Sequence, residues 1–152
     1  MIEGELVAEI SGIAHIQLCV SDMNASRPFY AGLLGAMGMS PVIDDDSFYY
    51  CVGGKTAVAI TPASGRHKNG KFTQGAIGLH HVCFRAKSRD DVESLYQVAC
   101  ELGATIIRKP EESNYAPGYY STLFEDPDGI RIEVNFVPGK GLLNESASPE
   151  KK

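Results

Sequence analysis

The sequence predicts an α+β protein made of two tandem copies of one βαβββ module, and three observations predict it. A short run, Gly12-Ile13-Ala14-His15-Ile16, returns 66 residues later as Gly78-Leu79-His80-His81-Val82. Each copy continues into a stretch with helical apolar spacing, and each such stretch is followed by three short strand-like runs bounded by turn residues. A period that long suits a duplicated supersecondary unit and not a solenoid. Two units nearly fill the 152 residues, enough chain to bury one adequate core. Module one is expected over about 10–62, a linker loop over 63–76, module two over about 77–137, and a flexible tail over 138–152.

Taken in order, the first strand is expected over about 12–20. The helix after Asp22 rests on the stripe Phe29, Tyr30, Leu33 and Leu34 before Gly35 and Gly38. Pro28 is acceptable there if it falls in the first turn, where no backbone donor is needed. Strands then follow at Met39 to Val42, Phe48 to Val52 and Thr56 to Ile60, with Gly53-Gly54 as a hairpin turn. Pro62 to Gly75, rich in glycine and charge, reads as a linker, and its basic run Arg66 to Lys71 as solvated chain. In copy two the strand over 78–86 leads to a helix that Ser88 and Asp91 cap. Val92, Leu95, Tyr96, Ala99 and Leu102 form its stripe, and Gly103 stops it. Strands follow at Thr105 to Arg108, Tyr119 to Phe124 and Ile130 to Phe136, with Asp128-Gly129 as the second hairpin turn.

Composition narrows the function classes. A net charge of -5 and a pI near 5.3 argue against nucleic acid or an anionic membrane surface as partners. No apolar run is long enough to span a bilayer, and Met-Ile-Glu-Gly-Glu-Leu does not read as a signal peptide, so a cytoplasmic location is expected. Cys19, Cys51, Cys83 and Cys100 lack metal or redox spacing and read as reduced packing residues.

Alternation along the strands points to the chemistry. Ile13, His15, Gln17 and Cys19 share one face of the first strand, opposite the apolar set Ala14, Ile16, Leu18 and Val20. Leu79, His81, Cys83 and Arg85 share the matching face in copy two, and Arg131, Glu133 and Asn135 do so on the last strand. A sheet with one apolar, helix-covered face and one face carrying these groups is best curled around a pocket. Two imidazoles and a carboxylate suit a divalent metal and leave coordination positions open, as a reactive site requires. His15, His81 and Glu133 are the candidate ligands; His80, off the repeat and of the other parity, is set aside as a structural or supporting residue.

At these residues the chain resembles the vicinal oxygen chelate superfamily, the glyoxalase I, bleomycin resistance and extradiol dioxygenase group. The matching stretches are His-Ile-Gln-Leu-Cys-Val-Ser-Asp-Met, Phe-Tyr-Ala-Gly-Leu-Leu-Gly, Gly-Leu-His-His-Val-Cys-Phe and Phe-Glu-Asp-Pro-Asp-Gly-Ile-Arg-Ile-Glu-Val. The resemblance implies paired modules forming an incomplete barrel around a metal and substrate cavity, with ligands from the first and last strand of each. It places three on His15, His81 and Glu133. Counting four residues on from Gly54, as Glu133 lies from Gly129, puts the fourth on Val58, which cannot bind a metal. Such a site resembles extradiol dioxygenases and thiol transferases more than glyoxalase I, although the dioxygenase histidine and tyrosine find only Leu123 and Phe124, with Tyr115, Tyr119 and Tyr120 nearby.

The expected function is therefore a divalent-metal enzyme, with iron, manganese, nickel or zinc as the ion, in which chelation of two adjacent substrate oxygens stabilises an enolate or oxyanion. Lyase, isomerase, transferase and dioxygenase chemistry stay open, and the alternative is a metal-free small-molecule-binding protein of the bleomycin-resistance type. Glu133 is the candidate catalytic residue. Gln17, Arg85, Tyr120 and Arg131 are the candidate substrate contacts, with Arg85 or Arg131 suited to a carboxylate or phosphate. A homodimer is expected because short modules leave sheet edges to cover. Whether His15 meets His81 and Glu133 within one chain or across two is left open.

Overall fold

The computed structural model describes residues 8–139. The N-terminal run Met1 to Leu6 and the expected tail beyond Gly139 lie outside the described residues. In module one, β1 (Ile16–Val20) leads to α1 (Met23–Ala36), β2 (Ser40–Asp44), β3 (Tyr49–Gly53) and β4 (Thr56–Pro62). Module two repeats this as β5 (Val82–Arg85), α2 (Arg89–Glu101), β6 (Thr105–Ser113), β7 (Tyr119–Glu125) and β8 (Arg131–Phe136). Each module forms an open four-stranded mixed sheet, in the orders β1-β4-β3-β2 and β5-β8-β7-β6. The first strand runs parallel to the last of its module, and the other pairings are antiparallel.

Local sequence explains both helices. Asp22 caps α1 by accepting from the Asn24 amide, and Ser88 caps α2 by accepting from the Asp91 amide at 3.1 Å. The Asp22 cap starts α1 well ahead of its apolar stripe. Pro28 consequently falls inside the helix and not in its first turn. It deletes one backbone donor near the N-terminal end, beneath the exposed Asn24.

One core serves both modules. Leu18, Val20, Phe29, Tyr30, Leu33 and Leu34 from module one join Val92, Ala99, Phe124, Ile132 and Val134 from module two in a single buried cluster. The helix-covered faces of both sheets meet there, so the opposite faces lie outside it. Two polar links cross the junction: Tyr30 donates to the buried Asp126 carboxylate at 2.7 Å, and Ser21 donates to Asp128 through its amide at 2.7 Å and through its hydroxyl. Phe72, at the end of the linker, ties its amide to the Asp128 carbonyl at 3.2 Å.

Candidate functional site

The uncovered face of module two gathers a polar cluster around Glu133. In β8, Glu133 pairs with Cys83 on one side and Leu123 on the other, which puts it on the face opposite Ile132 and Val134. It is only 7% exposed. His81 lies one residue ahead of β5, with its Nε2 3.2 Å from Glu133 Oε2. The other carboxylate oxygen, Oε1, accepts from the Tyr119 hydroxyl at 2.8 Å and lies 3.5 Å from Arg108 Nη2. Arg108 Nη2 also donates to Ser121 Oγ at 2.7 Å. The two oxygens of Glu133 thus face different partners.

Electrostatics keep this cluster protonated where it carries hydrogens. Burial of the sulfur pushes the Cys83 thiol up to about 12, with Glu133 adding to the shift, so this exposed residue carries a thiol and not a thiolate. Burial likewise raises the Tyr119 phenol, and its bond to Glu133 raises it further. His80 Nδ1 and His81 Nδ1 are 2.7 Å apart. For His81 to offer a lone pair on Nε2, its proton must sit on Nδ1, where His80 can accept it; such a partner commonly fixes the tautomer of a ligating imidazole. His80 is therefore in direct contact with the candidate ligand.

The uncovered face of module one differs in character. His15 is exposed, one residue ahead of β1, with its ring 6.4 Å from Tyr50 in an edge-on arrangement. Tyr50 stacks on Phe48 at 5.8 Å. Gln17 pairs with Ala59, and Tyr50 pairs with Ala59 from the other side, so Ala59 shares their face. This corrects the position assigned to the missing fourth ligand. Cys83 pairs with Glu133, and its repeat counterpart Gln17 pairs with Ala59; Val58 pairs with Ile16 and points into the core, 2% exposed. Counting from the glycine misplaced it because the turns differ in length: Gly53 pairs with Thr56, whereas Glu125 pairs with Arg131. Alanine, like valine, offers no ligand.

The structure brings two of the three candidate ligands together. His81 and Glu133 present donor atoms at a separation that suits neighbouring positions on one ion, since metal–donor bonds near 2.1 Å put such atoms about 3–3.5 Å apart. His15 is not with them, and among the described residues no three His, Cys, Asp or Glu side chains are arranged to hold a metal. Arg85 pairs with Asn135 on the Glu133 face and is exposed. Arg131, also of that parity, spends its guanidinium on Glu125 at 3.2 Å. Tyr120 is not brought to the site: its hydroxyl donates to Glu93 on α2, and Arg89 of α2 lies 4.8 Å above its ring. Tyr119 was named by the sequence reading only as one of three nearby tyrosines, with Tyr120 taken as the contact, and Arg108 was missed. Alternation along β7 away from Tyr120 would have pointed to the first, but nothing local marks the second. A separate concavity of about 530 Å³ at the start of α1, lined by Asn24, Arg27 and Asp46 among others, contains none of these groups.

Comparison with known proteins gives the family of the fold. Residues 12–134 match the Glyoxalase/Bleomycin resistance protein/Dioxygenase superfamily. The chain belongs to that superfamily. A putative glyoxalase from Bacillus halodurans is 27% identical in its crystal structure, with a TM-score of 0.74 over 84% of this chain and 96% of that one. The Bacillus subtilis (strain 168) protein YqjT, an uncharacterized protein, is 26% identical over 121 residues, 79% of this chain and 94% of its own. A fosfomycin resistance protein from Mesorhizobium loti shares the fold at 18% identity and a TM-score of 0.62, covering 85% of this chain and 94% of that one.

Proposed function

We propose that this superfamily member is a divalent-metal-dependent enzyme acting on a small substrate through two adjacent oxygens, with His15, His81 and Glu133 as ligands in a homodimer. In this reading His81 and Glu133 of one chain are completed by His15 of a second. The observation that carries it is the 3.2 Å approach of His81 Nε2 to Glu133 Oε2 on a face that stands outside the core. The separation of the exposed His15 from that pair, together with unpaired edges at β1 and β5 in the described sheets, supports completion by a second chain.

A bound divalent ion would supply Lewis-acid polarisation of the chelated oxygens. The chain's own residues do the rest. His80 holds the His81 tautomer, Tyr119 and Arg108 hold Oε1 of Glu133, and Oε2 is left facing His81. With no carboxylate at Ala59, Glu133 is the one acid on these two strand pairs able to hold or move a substrate proton.

Metal analysis of chelator-free protein tests the reading, combined with a mixing experiment. His15→Ala and Glu133→Ala should each lose the metal. When the two variants are refolded together, heterodimers should regain about one site, because one combination of modules is intact. Metal retained by either single variant, or no recovery on mixing, counts against the shared site. Wild-type protein that binds no divalent ion leaves the metal-free binding reading, which the Phe48–Tyr50 wall beside Ala57 and Ala59 favours.

A further inference from the structure

Arg108 supplies more than Glu133 needs. It leaves β6 between two register shifts, Ile106/Arg108 and Arg108/Glu111, and such bulges re-aim a side chain. Its guanidinium thereby lands on the Glu133 face, but approaches the carboxylate by one nitrogen only, at 3.5 Å. An arginine present only to neutralise Glu133 would grip it with two parallel bonds. Here Nη2 instead donates to Ser121, and Nε is buried with no acceptor, 3.7 Å from the exposed Glu111. Nη1 donates to no described residue. The buried Asn135 Oδ1, on the same face, also has no partner. Nε and Asn135 Oδ1 are shut away from solvent, so Nη1 is the donor left over next to Glu133.

Charge leads the same way. Arg131 and Glu125 satisfy each other at 3.2 Å, and Glu111 stands exposed at the rim. A divalent ion on neutral imidazoles and Glu133 would, with Arg108 close by, leave an excess of positive charge. The alanine at position 59 offers no carboxylate to offset it, so a substrate anion is the remaining source of compensation.

We infer that Arg108 anchors a substrate carboxylate, and that the site takes a small acid whose carboxylate lies next to its two chelating oxygens. This rests on the metal-enzyme reading above and deepens it. The Phe48–Tyr50 wall that His15 of the second chain brings with it fits an aromatic or otherwise flat body for that acid.

Catechol and 2,3-dihydroxybenzoate offer the same oxygen pair without and with the carboxylate, and their binding to the full chain can be titrated calorimetrically. Metal-loaded wild type should bind the acid about tenfold more tightly or better, the scale of one charge-assisted contact. Arg108→Gln should abolish that preference, read as the ratio of the two affinities in one metal-loaded variant so that any weakening of the metal through Glu133 falls on both ligands alike. Arg108→Lys, which keeps the charge without the fork, should retain part of it. Equal affinities in wild type, or a preference that survives Arg108→Gln, overturns the anchor, while metal-dependent catechol binding would still uphold the metal site. Chelator-treated protein separates the converse case. An Arg108-dependent preference there, in a chain that binds no metal, keeps the anchor and removes the metal reading.

Discussion

Two neighbouring tyrosines show how much one residue of phase decides. Tyr119 reaches Glu133 from β7, whereas Tyr120 points to α2 and meets Glu93. Tyr119→Phe should weaken divalent-metal binding about tenfold, the usual cost of deleting a group that orients a ligand. Tyr120→Phe should leave metal affinity unchanged and cost at most about 1 kcal/mol of stability, because the pair it breaks is exposed. A competitive chelator titration of both variants checks this, and equal effects would mean that the Tyr119–Glu133 bond is irrelevant to the site. His80→Ala should also weaken the metal about tenfold by removing the partner of His81 Nδ1. Alternation within β1, β5 and β8 was readable because apolar and polar residues alternate there without a break. In β7, aromatic, hydroxyl and apolar residues mix on both faces, so its phase became visible only through pairing with β8.

At the scale of elements, the start of α2 was the most legible feature, because its Ser88 cap is a local chemical device, whereas α1 begins earlier than its apolar stripe and Pro28 suggested. Ser88→Ala should cost about 1 kcal/mol in urea unfolding, and an unchanged midpoint would mean that α2 does not rely on its cap. Strand register was less legible, since it depends on turn length as well as pattern. Gly54 and Lys55, both at positive φ, close the β3–β4 hairpin in two residues, while five separate Glu125 from Arg131. That difference moves the counterpart of Glu133 from Val58 to Ala59. The two positions predict opposite outcomes for one added carboxylate. Val58→Asp buries a charge beside Leu18 and Cys51 and should cost about 3 kcal/mol or more. Ala59 is itself only 1% exposed, but it lies outside that cluster on the face of the exposed Gln17, where the carboxylate of Ala59→Asp, longer than the alanine methyl, can reach outward at a smaller cost. Thermal unfolding of the pair reads the register directly. Similar losses would undo the reassignment.

For the whole molecule, the junction between modules rests on a buried carboxylate that neither module could satisfy alone. Asp126 accepts from the Tyr30 hydroxyl of α1 and from the backbone amides of Asp128 and Ile130, at 2.7, 2.9 and 2.8 Å. Burial nevertheless holds its carboxyl above the ordinary carboxylate range, and the charge of Asp128 adds to this, against the three hydrogen bonds that lower it. A folded-state pKa raised above the unfolded value means that the native protein binds the proton more tightly. The stability from this linkage is fully present below the unfolded value, near 3.9, and is lost as pH rises through the folded one. Asp126→Asn carries no such titration, so its stability relative to wild type should climb between about pH 4 and neutrality, whatever the constant offset from its altered hydrogen bonds. Tyr30→Phe strips Asp126 of one donor in the interior and should cost about 1–3 kcal/mol. It should also raise the Asp126 carboxyl further and so steepen the loss of stability with pH. Urea unfolding of the three proteins across that range separates the two effects: a flat difference between Asp126→Asn and wild type would show that the Asp126 carboxyl titrates alike in the folded and unfolded chain, and that its burial at the junction is relieved in solution.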